Sequence, residues 1–202
     1  MKKLYMFIFS VAMILTAFLS SVSAASITHT VVKGDTMWKI AVKYEVGLSE
    51  IKGANTHIKN PDLIYPGDKL YIPKLYSSVS SYEKEVVRLV NIERNKQGLK
   101  SLTSDWQLSR VARCKSQDMK DKGYFSHTSP TYGSPFEMMK SFGISYRTAG
   151  ENIAKGQRIP AEVVKAWMNS SGHRANILSR SFTKIGVGYV EDGNYWTQMF
   201  IG

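Results

Sequence analysis

The chain has 202 residues, enough for one ordinary domain and one small module, and a net charge of +11 at neutral pH. Its one cysteine, Cys114, excludes an intrachain disulfide, so packing must supply the stability. The basic residues are scattered, without an arginine-rich tract or an interleaved aromatic platform, which argues against a nucleic-acid partner and favours anionic wall polymers or a membrane surface.

The N-terminal segment, residues 1–25, has the organisation of an export signal. Two lysines precede an apolar run over residues 4–19, and small residues follow that run. This order predicts a secretory signal peptide that is cleaved after Ala24 or Ala25. The alternative is an uncleaved N-terminal anchor, although the apolar run is short for a membrane span. After cleavage we expect no membrane span in the chain.

The first folded unit is predicted to have the order strand, helix, helix, strand. Strand-forming residues indicate the two strands at 30–32 and 70–72. Between them, apolar residues at helical spacing predict two short helices. The first helix has a natural N-cap in Asp35 or Thr36, and the second has one in Ser49.

Residues 30–73 also carry a set of motifs in a fixed order. They are a G-D-T turn, an I-A pair one helical turn later, Asn55 and the closing pattern I-x-P-G-x-x-L-x-I-P. With these motifs the segment resembles the LysM module, a family that binds N-acetylglucosamine-containing glycans, either peptidoglycan or chitin. The family's binding groove lies between the loop after the first strand and the loop before the second. By position, the resemblance implies a groove formed by Gly34, Asp35, Thr36, Met37, Ile64, Tyr65, Pro66 and Gly67.

A linker is predicted at residues 74–79, because this short stretch has no periodic pattern, and the larger unit then spans residues 80–202. Its first helix is predicted to begin at Ser80, where a capping box would place Glu83 at the third helical position. Gly98 is the predicted end of this helix.

The rest of the larger unit is predicted to contain more helices and then a hairpin. Apolar spacing predicts helices at 104–122 and 134–143, and Pro160 is typical of the first turn of another. Alternating residues predict two strands at 185–189 and 195–201, joined by a turn. Helices followed by a hairpin indicate an α+β fold.

Five fragments of the larger unit occur in a characteristic order. They read LVNIERNKQGLKSL, GYFSH, GENIA, WMNSSGHRANILSRSFTKIGVGYV and YWTQMF. Together, over residues 82–202, they resemble the CAP domain, also called the SCP-like domain, in its compact bacterial form. The resemblance implies an α-β-α sandwich for this unit, after the small βααβ LysM module.

CAP domains gather two histidines and two acidic residues in a central cleft, and some members bind a divalent metal there. By position, His127 and His173 match the histidines and Glu151 matches the first acid. The second acid is missing, because its position is occupied by Ser170. Glu137 could replace it, although the pattern S-P-F-E makes a capping box the simpler explanation of this residue.

The cleft residues leave two interpretations open. The resemblance implies that His127, Glu151 and His173 could hold zinc with one open coordination position. Alternatively, the same three residues form a structural clasp that makes the cleft rigid.

Two functions fit these observations. In the first, a secreted, wall-associated adaptor binds peptidoglycan through the LysM module, and its CAP domain binds a small hydrophobic ligand, a peptide or a partner protein. In the second, the CAP cleft is a metal-assisted hydrolase of peptide or wall polymer, with Glu151 or Glu137 as the general base. The adaptor is favoured, because the cleft lacks its fourth ligand and the sequence has no G-x-S-x-G or H-E-x-x-H motif. A spore-envelope component is a third possibility for the same architecture.

Overall fold

The structure, a computed structural model, describes residues 26–73 and 77–202. The predicted signal peptide and residues 74–76 of the predicted linker lie outside the described residues. The elements in chain order are β1 (Ser26–Thr30), α1 (Met37–Tyr44), α2 (Leu48–Ala54), β2 (Lys69–Pro73), α3 (Ser77–Lys96), β3 (Thr103–Ser104), α4 (Trp106–Asp121), α5 (Pro135–Ser141), β4 (Ala149–Lys155), α6 (Pro160–Met168), α7 (Ser171–Ile177), β5 (Lys184–Val190) and β6 (Tyr195–Ile201).

The first unit is a two-stranded antiparallel ribbon with two helices packed against it. Asn55, which follows α2, links the helices to the ribbon. Its side chain accepts a hydrogen bond from the Tyr71 backbone N–H and donates one to the Tyr71 carbonyl oxygen, both at 2.7 Å. The apolar residues of this unit form a core of their own, which consists of Val31, Met37, Ile40, Ala41, Ile51, Leu70 and Ile72.

Two details of the first unit differ from the prediction. The sequence predicts the first strand at 30–32, but β1 ends at Thr30, because the N–H and C=O of Val31 already bond to the loop before β2. Ser49 was predicted to cap the second helix, but α2 begins at Leu48 after Gly47, without a side-chain cap. The predicted cap of α1 is confirmed, since the Thr36 hydroxyl accepts a hydrogen bond from the third residue of the helix at 3.1 Å.

The second unit is built on a four-stranded sheet with the order β3-β5-β6-β4. The predicted hairpin is present as β5 and β6, which pair from Lys184 with Ile201 to Val190 with Tyr195. β4 lies antiparallel to β6 at one edge of the sheet. The sequence did not predict β4, because its residues AGENIAK include Gly, Glu and Asn and do not alternate between apolar and polar.

Helices cover both faces of this sheet, so the predicted α+β class and α-β-α sandwich are confirmed. On one face, α3, α6 and α7 pack on Ile185, Val187 and Tyr189. On the other face, α4 and α5 pack on Met199 and Ile201.

Glycines let α4 lie directly on the sheet. A Cβ at Gly186 would collide with the backbone of Leu108, and one at Gly188 would collide with the backbone of Arg113. The G-V-G pattern of β5 is therefore required by the close approach of helix and strand.

The predicted start of α3 was wrong. The helix begins at Ser77, so it includes the last three residues of the predicted linker, and Glu83 lies in its interior. Instead of capping the helix, the buried Glu83 carboxylate accepts hydrogen bonds from Arg113 at 2.8 Å and from the Tyr189 N–H at 3.2 Å. Burial raises the pKa of Glu83, although Arg113 acts in the opposite direction. The predicted end at Gly98, with φ of 65°, is confirmed.

The two units contact each other through α2 and α4. Nε and Nη2 of Arg110 donate to the two carboxylate oxygens of Glu50 at 2.7 and 2.8 Å, and Nη2 also donates to the Ser49 hydroxyl at 2.7 Å. Gly47 passes so close to this pair that a Cβ there would collide with Arg110. Burial opposes the charged form of Glu50, but the bonds from Arg110 and Ser49 outweigh it and lower the pKa of that carboxyl.

None of the helices in residues 26–73 and 77–202 combines the length and apolar character needed to cross a membrane.

Candidate functional site

The two loops of the predicted glycan groove leave the β1–β2 ribbon at the same end. Thr30 and Lys69 are the last pair of the ribbon at this end. Beyond them, the Gly67 N–H donates to the Val31 carbonyl oxygen, and the Val31 N–H donates to the Asp68 carbonyl oxygen, each at 2.9 Å. The loop before β2 therefore lies beside the loop after β1, as the resemblance implied.

The loop after β1 is held by the Asp35 carboxylate. Its Oδ2 accepts a hydrogen bond from the Val32 N–H at 3.0 Å and lies 2.9 Å from Nε2 of His29. The backbone hydrogen bond from Val32 and the contact with His29 lower the pKa of Asp35. The other ring nitrogen of His29 lies 3.0 Å from the Tyr44 hydroxyl. Asp35 and Gly34, with φ of 92°, therefore shape the turn.

The loop before β2 places an aromatic ring on the surface. The Tyr65 N–H donates to the Asp68 carboxylate at 2.8 Å, and Gly67 has φ of 99°. The Tyr65 side chain is 57% exposed, whereas Ile64 packs against the core. Met37, the first residue of α1, is also buried in that core. The exposed part of the predicted groove thus consists of turn backbone at Gly34 and Gly67 and the side chains of Thr36, Tyr65 and Pro66.

The predicted CAP cleft lies at the β4 edge of the second unit. Glu151 is opposite Met199 in the sheet and so faces the α4 side, whereas Asn152 faces the opposite side. His127 comes from the segment between α4 and α5, and His173 comes from α7. The edge strand β4, the segment between α4 and α5, and the short helix α7 therefore meet at one place.

His127 and Glu151 form a hydrogen-bonded pair. Nδ1 of His127 lies 2.7 Å from Oε1 of Glu151. The Glu151 side chain is 1% exposed, whereas the imidazole is 53% exposed. A buried carboxylate therefore orients a solvent-facing ring, whose Nε2 has no hydrogen-bond partner among the described residues.

His173 lies near this pair and is linked to the sheet through its backbone. Partial burial lowers its pKa, and the neighbouring His127 acts in the same direction. The carbonyl oxygen of His173 accepts a hydrogen bond from the Asn152 side chain at 3.1 Å, and Asn176 donates to the same amide at 2.8 Å. These amides fasten α7 to β4.

The other two predicted cleft residues, Ser170 and Glu137, lie at the N-terminal ends of helices. Ser170 is the N-cap of α7, without a side-chain capping bond. The capping box at Ser134 and Glu137 is confirmed: the Glu137 carboxylate accepts from the Ser134 N–H at 2.7 Å, and the Ser134 hydroxyl accepts from the Glu137 N–H at 3.2 Å. The backbone hydrogen bond from Ser134 lowers the pKa of Glu137.

As placed, the side chains of His127, Glu151 and His173 do not form a group of three metal ligands. Within the described ranges, no group of three or more His, Cys, Asp or Glu side chains is arranged so that it could hold a metal ion. Nδ1 of His127 and Oε1 of Glu151 bond to each other rather than to a common centre. Zinc binding stays a prediction, which a calorimetric titration with zinc would test.

Sequence reasoning missed one residue of the cleft. Lys115 of α4 is fully buried, and its ammonium donates to the carbonyl oxygen of His127 at 2.5 Å. A signal was present, because Lys115 lies four residues after Val111 and four before Met119, both on the buried face of the helix. A lysine in the apolar stripe of a helix indicates a buried partner.

Family models match both units. The model described as "Cysteine-rich secretory protein family" (CAP) matches residues 87–200, and the LysM domain model matches residues 29–73.

Among proteins of Bacillus species, "Uncharacterized protein YkwD" of Bacillus subtilis (strain 168) is 75% identical over 126 residues, which are 62% of this chain and 49% of that protein. "Spore coat assembly protein ExsA" of Bacillus cereus is 56% identical over 45 residues, which are 22% of this chain and 7% of that protein. The chain therefore spans about half the length of YkwD and far less of ExsA.

A solved structure of an extracellular protein containing an SCP domain from Bacillus anthracis is similar with a TM-score of 0.59 and 35% identity. The similarity covers 67% of this chain and 47% of that one. An outer surface protein from Borrelia burgdorferi, at 23% identity and a TM-score of 0.54, shares the fold over 58% of this chain and 90% of its own.

Proposed function

Because the chain belongs to the cysteine-rich secretory protein (CAP) family and also contains a LysM domain, we propose that it is a secreted adaptor of the cell wall. The LysM domain binds N-acetylglucosamine-containing glycan, above all peptidoglycan, and thereby keeps the CAP domain at the wall. The observation that carries this proposal is the pair of adjacent loops at one end of the β1–β2 ribbon, with an exposed tyrosine between tight turns.

The groove offers the two kinds of contact that an N-acetylated sugar needs. Backbone carbonyl groups of the turns at Gly34 and Gly67 can accept hydrogen bonds from acetamido N–H groups, and the Tyr65 ring can cover an apolar sugar face. A single domain of this kind gives modest affinity, since high avidity comes from linked domains.

The net charge supports the same location. The full chain carries +11, and without Lys2 and Lys3 of the predicted signal peptide the charge is +9, so the secreted protein is attracted to anionic wall polymers over long distances, and salt weakens this attraction. The names of ExsA and of the Bacillus anthracis relative refer to the spore coat and to an extracellular protein. These names support a place at the wall or in a spore envelope.

For the CAP domain we propose binding rather than catalysis. The buried Glu151 holds His127 in a fixed orientation, which suits a rigid cleft for a small hydrophobic molecule, a peptide or a partner protein. Of the four positions that the family uses, only His127, Glu151 and His173 carry the matching residue types, since Ser170 replaces an acid.

The proposal is tested by sedimentation with purified insoluble peptidoglycan. Tyr65→Ala removes the exposed ring of the groove, so we expect binding about tenfold weaker than that of the wild type, in line with the loss of an aromatic contact of about 1.4 kcal/mol. Tyr71→Ala is the matched control, because Tyr71 is an exposed tyrosine of the same domain on β2, outside the loops.

Two further measurements distinguish binding by the groove from attraction by the net charge. Soluble N-acetylglucosamine oligomers should compete with the wall, and binding should persist in about 0.5 M salt, where charge attraction is screened. Equal binding by Tyr65→Ala and wild type, or binding that salt alone abolishes, would contradict the proposed groove.

A further inference from the structure

Lys115 is a fully buried lysine in the middle of α4, beside the cleft, and neither glycan binding nor core packing accounts for it. We propose that Lys115 is the positioning residue of the His127–Glu151 pair: its ammonium holds the backbone of the histidine, and its charge balances the buried carboxylate. This role is independent of what the cleft binds.

The geometry fixes His127 at two points. Nζ of Lys115 donates to the carbonyl oxygen of His127 at 2.5 Å, and the imidazole of the same residue lies 2.7 Å from Glu151. The ammonium also lies 5.4 Å from the centroid of the Tyr124 ring, at the start of the same connecting segment. Because backbone and ring are both held, the half-exposed imidazole keeps one orientation.

The buried carboxylate of Glu151 explains why a cation lies in this part of the structure. Oε2 of Glu151 is buried and has no hydrogen-bond partner among the described residues. An ionised carboxylate in such surroundings is costly unless a positive charge lies nearby. Burial lowers the pKa of Lys115, and the negative charges of Glu151 and Asp118 oppose this lowering without cancelling it, so both carboxylates favour the ammonium form.

Asp118, three residues further along α4, holds the rest of the segment. Its carboxylate accepts hydrogen bonds from the hydroxyls of Tyr124 at 2.6 Å, Ser129 at 2.7 Å and Thr131 at 2.5 Å. These residues lie on both sides of His127. Lys115 and Asp118 thus form one anchor on α4, and Lys115 is the part that reaches the histidine itself.

The test compares Lys115→Met, which keeps the size of the side chain but removes donor and charge, with Lys120→Met on the more exposed side of the same helix. The readout is the proton NMR resonance of the His127 Nδ1–H, which lies far downfield only while the ring is bonded to the carboxylate. We expect this resonance to shift upfield or vanish in Lys115→Met and to stay unchanged in Lys120→Met. A wild-type resonance in folded Lys115→Met would overturn the proposal.

Two other variants decide the matter if Lys115→Met does not fold. Lys115→Gln keeps a donor without the charge, and we expect an upfield shift of the same resonance in an otherwise folded spectrum; no shift would overturn the proposed charge balance. If that variant is also unfolded, Glu151→Gln should change the ammonium resonance of Lys115, and an unchanged resonance would overturn the pairing.

Discussion

Asp118 illustrates how a single carboxylate can organise a segment of the CAP domain. Burial disfavours its charged form, but hydrogen bonds from Thr131, Tyr124 and Ser129 outweigh burial and hold the pKa of Asp118 below its ordinary value. The folded protein therefore binds this proton at lower pH than the unfolded chain does. The stabilisation is present above about pH 4, the ordinary range of an aspartate, and is lost as the pH falls through the folded-state pKa.

We predict that Asp118→Asn lowers the free energy of unfolding by about 2 kcal/mol at pH 7, because one carboxylate oxygen becomes an amide nitrogen that cannot accept and the remaining hydrogen bonds lose their charge. The difference between wild type and variant should shrink as the pH falls below about 4. Urea unfolding at several pH values measures it. A difference that does not change with pH would show that the charge of Asp118 plays no part.

For single residues, the sequence predicted hydrogen bonds between neighbours in the chain well and those between distant residues poorly. The capping box at Ser134 and Glu137 could be read because its partners are three residues apart. Lys115 and Glu83 bond to residues far along the chain, at His127 and Arg113, and only the fold brings these together. Local spacing even suggested a cap for Glu83, and tertiary contacts overrode it.

At the scale of elements, the packing of α4 on β5 depends on two glycines. We predict that Gly188→Ala lowers the free energy of unfolding by about 3 kcal/mol, because the new methyl group meets helix backbone, which cannot move aside as a side chain could. Gly172→Ala, in α7, is the control. Open space surrounds that position, so this change should alter stability by at most about 1 kcal/mol, on the stabilising side.

Thermal unfolding of the two glycine variants measures the effect. Similar midpoints for Gly188→Ala and wild type would contradict the close packing of α4 and β5. The glycine pattern of β5 and the hairpin were predictable from alternation, but β4 was not. An edge strand that carries a buried carboxylate and a buried amide beside each other, Glu151 and Asn152, lacks the regular apolar pattern.

At the scale of the whole molecule, the Glu50–Arg110 pair joins the LysM domain to the CAP domain. The contacts to α4 come from Ser49 and Glu50 of α2, whereas the groove loops follow β1 and precede β2. We predict that Arg110→Glu separates the domains and raises the radius of gyration in small-angle X-ray scattering, because two carboxylates then face each other.

The reciprocal variant Glu50→Arg with Arg110→Glu should restore the wild-type scattering curve, since it restores the opposite charges. An unchanged curve for Arg110→Glu alone would mean that the pair does not hold the domains together in solution. No pattern in the sequence indicated this contact, because its partners are 60 residues apart and belong to different domains.

In the proposed function, the LysM groove binds wall glycan and thereby keeps the CAP domain at the wall. The most direct measurement is an NMR titration of the ¹⁵N-labelled protein with a soluble N-acetylglucosamine tetramer. We predict saturable shifts of the backbone amides in the two groove loops, at residues 34–37 and at Ile64, Tyr65 and Gly67, with the CAP amides unchanged. Shifts confined to the surroundings of His127 and His173, or no shifts at millimolar glycan, would contradict glycan binding by the LysM groove.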